Sequence, residues 1–256
     1  MEHVSLRGVD IPSLGLGTWP MTGTQCTEAV RTALELGYRH VDTAQMYDNE
    51  DAIGAAIADS RVDRDDVFVT TKLLRENLRR DDALESFQRS LDHLGTAYVD
   101  LLLIHAPNPD VPIDETIAVM NQLQDEGSVR HIGVSNFSIA QLRDAMAASE
   151  TPILTNQVRY HPYRDRSVLL EYCRDNDIML TAYSPLAEGE IATDETLAQI
   201  GATYDKTAAQ VALRWLLQQE NVSTIPKASS REHLRENIDI FDFELTDAEM
   251  DRIFAL

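Results

Sequence analysis

The sequence predicts an α/β protein: a closed (β/α)8 barrel with a short N-terminal β-hairpin and extra C-terminal helices. Three observations predict it. Eight short, apolar, β-rich runs recur, at residues 14–17, 38–42, 67–72, 100–105, 132–135, 154–158, 178–183 and 222–225. Amphipathic helical stretches lie between them, among others at 28–36, 80–94, 113–124 and 208–219. Strands that alternate with helices indicate βαβ units and a parallel sheet. The chain has 256 residues, enough for eight such units to close on themselves.

The elements follow in order. Residues 3–6 and 9–11 flank Arg7-Gly8 and read as a hairpin ahead of the first barrel strand. The eight runs and their helices follow without a linker, a low-complexity stretch or a sequence repeat, so residues 1–256 read as one domain. After the eighth run, residues 229–238 read as a short helix. Residues 246–254 read as another, with Thr246 as N-cap and Glu249 completing a capping box.

In such barrels the C-terminal strand ends line one mouth, where the chemistry takes place. Asp42, Lys72 and His105 fall at or just past the ends of the second, third and fourth runs, and Tyr47 follows the second by a short loop. Neighbouring strands lie about 5 Å apart, so these side chains can converge. An ammonium beside a phenol stabilises the phenolate and lowers its pKa, which suits a general acid near neutral pH. Asp42 holds that lysine charged, and a neutral His105 donates a hydrogen bond to a substrate oxygen. The set suits reduction of a carbonyl, with Tyr47 giving the proton to oxygen. Singly, each residue has a plain reading: Asp42 as a helix cap, Tyr47 as a half-buried loop residue, Lys72 as a surface charge, His105 as a satisfied buried histidine. Three of them at successive strand ends on one barrel face favour the joint reading.

Longer blocks carry a resemblance. They are Gly15-Leu16-Gly17-Thr18-Trp19, Gly37-Tyr38-Arg39-His40-Val41-Asp42-Thr43-Ala44, Thr71-Lys72, Asp100-Leu101-Leu102-Leu103-Ile104-His105 and Gly133-Val134-Ser135-Asn136-Phe137. Asn156-Gln157-Val158-Arg159-Tyr160-His161-Pro162, Ala182-Tyr183-Ser184-Pro185-Leu186, Ile225-Pro226-Lys227 and Glu236-Asn237 continue the series. Over essentially its whole length the chain resembles the aldo-keto reductases, and within them the prokaryotic reductases of diketogluconate, methylglyoxal and other small carbonyls. The resemblance implies NADPH-dependent reduction of aldehydes and ketones, with Tyr47 as acid, Lys72 and Asp42 tuning it and His105 positioning the carbonyl. It implies that Ser135, Asn136 and Gln157 hold the nicotinamide carboxamide and that Tyr183 stacks on the ring. Thr18, Ser184 and Leu186 belong to the cofactor site too, the last two along the pyrophosphate path. Lys227, helped by Ser229, meets the 2′-phosphate, and Glu236 and Asn237 lie near the adenine. Trp19 and Ala106 border the substrate. The outer members keep plain readings: Tyr183 as core, Ser135 and Asn136 as turn residues, Glu236 and Asn237 as a helix terminus.

Three departures from the family pattern stand out. Ala228 and His233 occupy positions where relatives carry a serine and an arginine for the 2′-phosphate, which leaves NADH as the alternative cofactor. Ala106 replaces a tryptophan common in relatives. The chain stops soon after its final helix, so a shallow pocket with broad acceptance of small carbonyls is expected. A second functional reading is a cofactor-binding sensor on the same fold, without significant turnover. A third is a metal-dependent or phosphate-binding barrel enzyme, a hydrolase or isomerase. No G-x-G-x-x-G follows a strand, no P-loop is present, and His40, His105 and His161 lack metal-site spacing, so no metal is expected.

Composition sets the remaining bounds. Hydrophobic residues make up 43%, with no long apolar stretch or signal-peptide pattern, so no membrane partner and a cytoplasmic location are expected. Cys26 and Cys173 match no metal or redox spacing. Cys26 sits near a helix start, where a thiol pKa can fall, but it is read as inert. Nothing signals oligomerisation, and the resemblance implies a monomer. Net charge is -21, from 43 acidic against 22 basic residues, which argues against nucleic-acid binding. The only lysines are Lys72, Lys206 and Lys227. An acidic, lysine-poor surface resembles that of proteins from halophiles, where salt screens self-repulsion. Unfolding free energy, followed by urea titration, is expected to rise between low and molar potassium chloride. A fall over that range would exclude salt adaptation.

Overall fold

A computed structural model describes residues 2–256. Strands β1 (His3–Leu6) and β2 (Val9–Pro12) pair antiparallel as the expected hairpin. Arg7 and Gly8 turn it, at φ 51 and 81, the left-handed pair that a two-residue hairpin loop requires.

The barrel strands are β3 (Leu16–Gly17), β4 (His40–Asp42), β5 (Phe68–Leu73), β6 (Val99–Ile104), β7 (Val129–Ser135), β8 (Ile153–Arg159), β9 (Met179–Tyr183) and β10 (Val222–Thr224). They pair in chain order, all parallel. Closure comes from bridges Leu14 to Thr224 and Gly17 to Lys227. Gly15 N donates to Thr224 O at 2.8 Å, and Gly17 N to Pro226 O at 3.1 Å. All eight expected strands therefore form, and the sheet closes.

Among the described residues ten α-helices surround them: α1 (Gly23–Glu35), α2 (Glu50–Ala58), α3 (Arg80–Leu94), α4 (Ile113–Asp125), α5 (Ile139–Ala148), α6 (Ser167–Asp175), α7 (Glu195–Ala202), α8 (Ala208–Leu217), α9 (Arg231–Ile238) and α10 (Asp247–Phe254). α1 starts earlier than expected, because its polar first turn (Gly23 to Thr27) hides the helical period that Ala29, Val30, Ala33 and Leu34 carry into the core. The Thr246 capping box forms as expected, with Glu249 at N3.

The main core lies between sheet and helices. Val41, Val69, Leu102, Ile132, Val134 and Leu180 meet Val30, Ile53, Phe87, Ile117, Val211 and Trp215. A separate cluster joins Leu6 and Ile11 of the hairpin to Leu101, Leu103, Leu154 and Met179, with Phe68 packed against it. Because Phe68 begins β5, the hairpin covers the end where the strands begin. The opposite end stays free for a site. Cys26 lies in the first turns of α1 but is buried, and burial pushes its thiol up to about 11. Among the described residues, no helix is long and apolar enough to cross a membrane.

Closure depends on a bare backbone at Gly17. A Cβ built there would stand 2.4 Å from the Ile225 carbonyl oxygen. Gly17→Ala is expected to destabilise the fold by about 1–3 kcal/mol, the usual overpacking range, visible as a lower urea midpoint. An unchanged midpoint would show that the seam is not close-packed.

Candidate active site

Three of the strands just described and the loop after β4 bring the site together. Asp42 ends β4, Lys72 is next to last in β5, and His105 follows β6, extending its ladder by donating N–H to Leu73 O at 3.1 Å. Tyr47 closes a single 3-10 turn, Gln45–Tyr47, on the loop after β4. That loop is tied down. Leu74 N donates to Gln45 Oε1 at 2.8 Å, Thr43 Oγ1 to Asn49 Oδ1 at 2.6 Å, and Asn49 Nδ2 to Met21 O at 2.8 Å.

Lys72 is wholly buried, and its three ammonium protons meet three acceptors. They are Asp42 Oδ1 at 2.5 Å, Thr43 O at 2.7 Å and the Tyr47 hydroxyl at 3.4 Å. Lys72 is not a surface charge. Gln157 Nε2, from the far side of the barrel, donates to Asp42 Oδ2 at 2.7 Å. Trp19 and His105 flank the Tyr47 ring, at centroid distances of 5.2 and 5.7 Å.

The electrostatics follow from burial and from this pairing. Burial alone draws the Lys72 pKa down, but Asp42 and Tyr47 together hold it above its ordinary value. The Tyr47 expectation needs correction. Burial raises its pKa more than Lys72 lowers it, so the phenol is held protonated. Burial first, and then Lys72, push His105 down to about 4, which keeps its imidazole neutral. Its Nδ1 is buried with no hydrogen-bond partner among the described residues.

These groups open into a cavity of about 1030 Å³. That is at the upper end for small-molecule pockets. Trp19, Tyr47 and His105 line it, as do Thr18, Ser135, Asn136, Gln157, Tyr183, Ser184, Leu186, Lys227, Glu236 and Asn237. Shallowness describes only the rim, where Trp19 is 53% exposed. Three expected members are not in the lining: buried Lys72, whose ammonium meets the Tyr47 hydroxyl, Ala106, and Ser229, whose Oγ is 3.5 Å from Lys227 Nζ. Asn136 takes a left-handed backbone at φ 62, accepts from the Tyr183 hydroxyl at 3.0 Å and donates to His105 O at 3.1 Å. It so ties the aromatic wall to the His105 backbone.

Sequence reasoning missed Arg159, Glu188 and the Thr207–Ala209 edge, while His233, at the position the family pattern gives to an arginine, is in the lining. Arg159 was accessible from strand alternation, since it stands two residues after Gln157. The α8 edge carried the signature Thr207-Ala-Ala-Gln210, a capping box that forms. Among the described residues no group of three or more His, Cys, Asp or Glu side chains gathers to hold a metal.

The sequence profile of the Aldo/keto reductase family matches residues 13–256. The chain belongs to that family. Glyoxal reductase of Bacillus subtilis (strain 168) is 40% identical over 251 residues, covering 98% of this chain and 90% of that protein. Methylglyoxal reductase DkgB of Escherichia coli O157:H7 is 41% identical over 249 residues, covering 96% and 93%. The crystal structure of a candidate 2,5-diketo-D-gluconic acid reductase B matches with TM-score 0.98 and 46% identity, covering 100% of this chain and 92% of that one. These names agree with the subgroup that the sequence resembles. This aldo/keto reductase is an oxidoreductase.

The depressed His105 pKa has a consequence for this reductase. A buried neutral histidine stabilises the fold fully above its ordinary value of 6.5, and that contribution is lost as pH falls from there toward about 4. The His105 ring is expected to titrate near pH 4 by NMR. Its removal as His105→Gln is expected to reduce the loss of stability across that window. A midpoint at 6 or above would contradict the buried, neutral assignment.

Proposed function

We propose that this enzyme reduces aldehydes and ketones, small dicarbonyls among them, to alcohols with NADPH, Tyr47 being the proton donor. One observation carries the reading: a protonated phenol faces a large cleft while its oxygen accepts from a buried, charge-paired ammonium. The names of the relatives, glyoxal reductase and methylglyoxal reductase, support the substrate class.

The cleft fits a dinucleotide by its size, by the amide and hydroxyl groups of Ser135, Asn136 and Gln157, by the ring of Tyr183 and by the cation of Lys227. When bound, the reduced nicotinamide supplies a hydride to the carbonyl carbon. The residues of the chain do the rest. Because the Tyr47 oxygen accepts from Lys72, its own O–H is free to donate into the cavity, toward a carbonyl oxygen. As that proton leaves, the growing phenolate charge meets an ammonium already in place, so the attraction is stronger in the transition state than in the ground state. Asp42 keeps that ammonium charged and fixed. Neutral His105 borders the same space and offers a hydrogen bond to the oxygen without competing as an acid. In the reverse direction Tyr47 acts as base.

Ser184 and Leu186 lie along the pyrophosphate path in this reading, with Thr18 beside Asp42 and with Glu236 and Asn237 toward the adenine. Trp19 walls the substrate. Lys227 favours NADPH over NADH, with His233 as its neighbour in the lining. The enzyme acts as a cytoplasmic monomer, its acidic surface adapted to high salt.

Loss of NADPH absorbance at 340 nm with methylglyoxal, in high salt, tests the proposal. Tyr47→Phe is expected to lower kcat about 100- to 10,000-fold, the range for one general acid, with NADPH affinity nearly unchanged. kcat/KM is expected to favour NADPH over NADH. A mutant that keeps most of its turnover would remove Tyr47 from the role. Wild-type protein that binds NADPH and reduces no carbonyl would be a sensor.

A further inference from the structure

The catalytic scheme leaves one ion pair in the cleft without a task. Arg159 and Lys227 are the Lys and Arg side chains that line the cavity. Arg159 ends β8, two residues after Gln157, so it projects from the same strand face. Its register partner on β9 is Tyr183, which puts it beside the segment that follows that strand. There it pairs with Glu188 through Nη2. Glu188 and Gly189 line the same cavity.

The two partners are held very differently. Arg166 Nε donates to the Arg159 carbonyl at 3.1 Å, fixing the backbone that carries the guanidinium. Arg159 is 33% exposed at its side chain, Glu188 73%. Glu188 sits in a left-handed stretch with Ala187 and Gly189, at φ 58, 47 and 102. Arg159 Nε is buried and has no hydrogen-bond partner among the described residues. A buried donor left unmade is costly, and an exposed ion pair contributes little. The guanidinium therefore has one donor idle and another engaged by a replaceable carboxylate.

We propose that Arg159 anchors the pyrophosphate of the bound dinucleotide, and that Glu188 occupies the guanidinium until that anion displaces it. The proposal rests on the dinucleotide reading of the cleft. Arginine presents its donors as a rigid fork that matches phosphate oxygens two at a time. A phosphate group satisfies both Nε and Nη2, whereas Glu188 engages Nη2 alone. The exchange also resolves a conflict of charge, because an unpaired Glu188 can swing on its exposed segment to solvent instead of facing the incoming anion.

The experiment compares NADPH dissociation constants, by fluorescence titration, for wild type, R159Q, R159K and E188Q, with thermal unfolding to confirm folding. R159Q is expected to weaken NADPH about tenfold or more, the effect of losing one charge-assisted bond. R159K is expected to fall between, and E188Q to tighten NADPH. Adenosine 2′-monophosphate, which lacks the pyrophosphate, is expected to bind all four alike. The opposite signs separate ligand exchange from a structural role. If E188Q weakens NADPH as R159Q does, the pair is a fixed strut and the proposal falls. It falls too if R159Q leaves NADPH unchanged and raises KM for glyoxylate but not for methylglyoxal, since Arg159 then takes a substrate carboxylate. Wild type that binds no NADPH overturns the dinucleotide reading itself; wild type that binds it while no variant shifts overturns this assignment alone.

Discussion

The buried pair of Lys72 and Asp42 is the constraint on which the site depends. Both are sealed from water, 2.5 Å apart. Removing one partner of such a pair strands a charge and costs about 3–5 kcal/mol, yet an apolar pair of the same shape is often equally stable. Stability therefore does not account for its presence. Geometry does. The ammonium has three protons and three acceptors at fixed positions, and the carboxylate's second oxygen accepts from Gln157 across the barrel. β4, β5, β8 and the Tyr47 loop are registered against one another by a single charge pair.

The same pair explains how a loop residue is held as firmly as a strand residue. Loops are ordinarily the variable parts of a barrel. Here the turn that carries Tyr47 is tied by Gln45 to the backbone after β5, and by Asn49 to Thr18, Thr43 and Met21. Lys72 adds the last tie at the hydroxyl itself. Burial raises the phenol's pKa and the ammonium lowers it. The two effects keep the phenol in its protonated form while an ammonium stands ready beside its oxygen.

The strands were legible because their signal is local: apolar, β-rich runs bounded by polar segments, recurring eight times. The C-terminal strand ends followed from topology, and with them Asp42, Lys72 and His105. What did not show in the sequence is whatever depends on the balance of burial against charge. Tyr47 looked like an acid lowered by its lysine, and only the depth of its ring in the cleft reverses the net shift. Gln157 was read as a cofactor ligand, but its amide also serves Asp42, a partner 115 residues away. Glu188 carried no signal at all, because its place beside Arg159 depends on a left-handed turn in the segment after β9. Ala106 and Ser229 stand next to lining residues, His105 and Lys227, without lining the cleft themselves.

Charge distribution carries the last step. With 43 acids against 22 bases, lysine and arginine are scarce enough that their positions carry meaning. Two of the three lysines are paired with carboxylates, and the third, exposed Lys227, stands at the cleft. Lys72 is in the core, Lys206 bridges Asp239 and Asp242 with its side chain 6% exposed, and Lys227 lines the cleft. Arginine handles the remaining basic positions, including the pair that Arg64 and Arg130 make with Asp100. A net charge of -21 repels an anionic ligand at long range, but at about 0.1 M salt that field decays over roughly 10 Å. Inside the cleft the nearest charges dominate, and there Arg159 and Lys227 face Glu188 and Glu236 in one cavity while Asp42 is already neutralised by Lys72. An acidic protein can thus receive a polyanionic ligand, provided that salt screens its surface and its few cations stand where the ligand's charges come to rest.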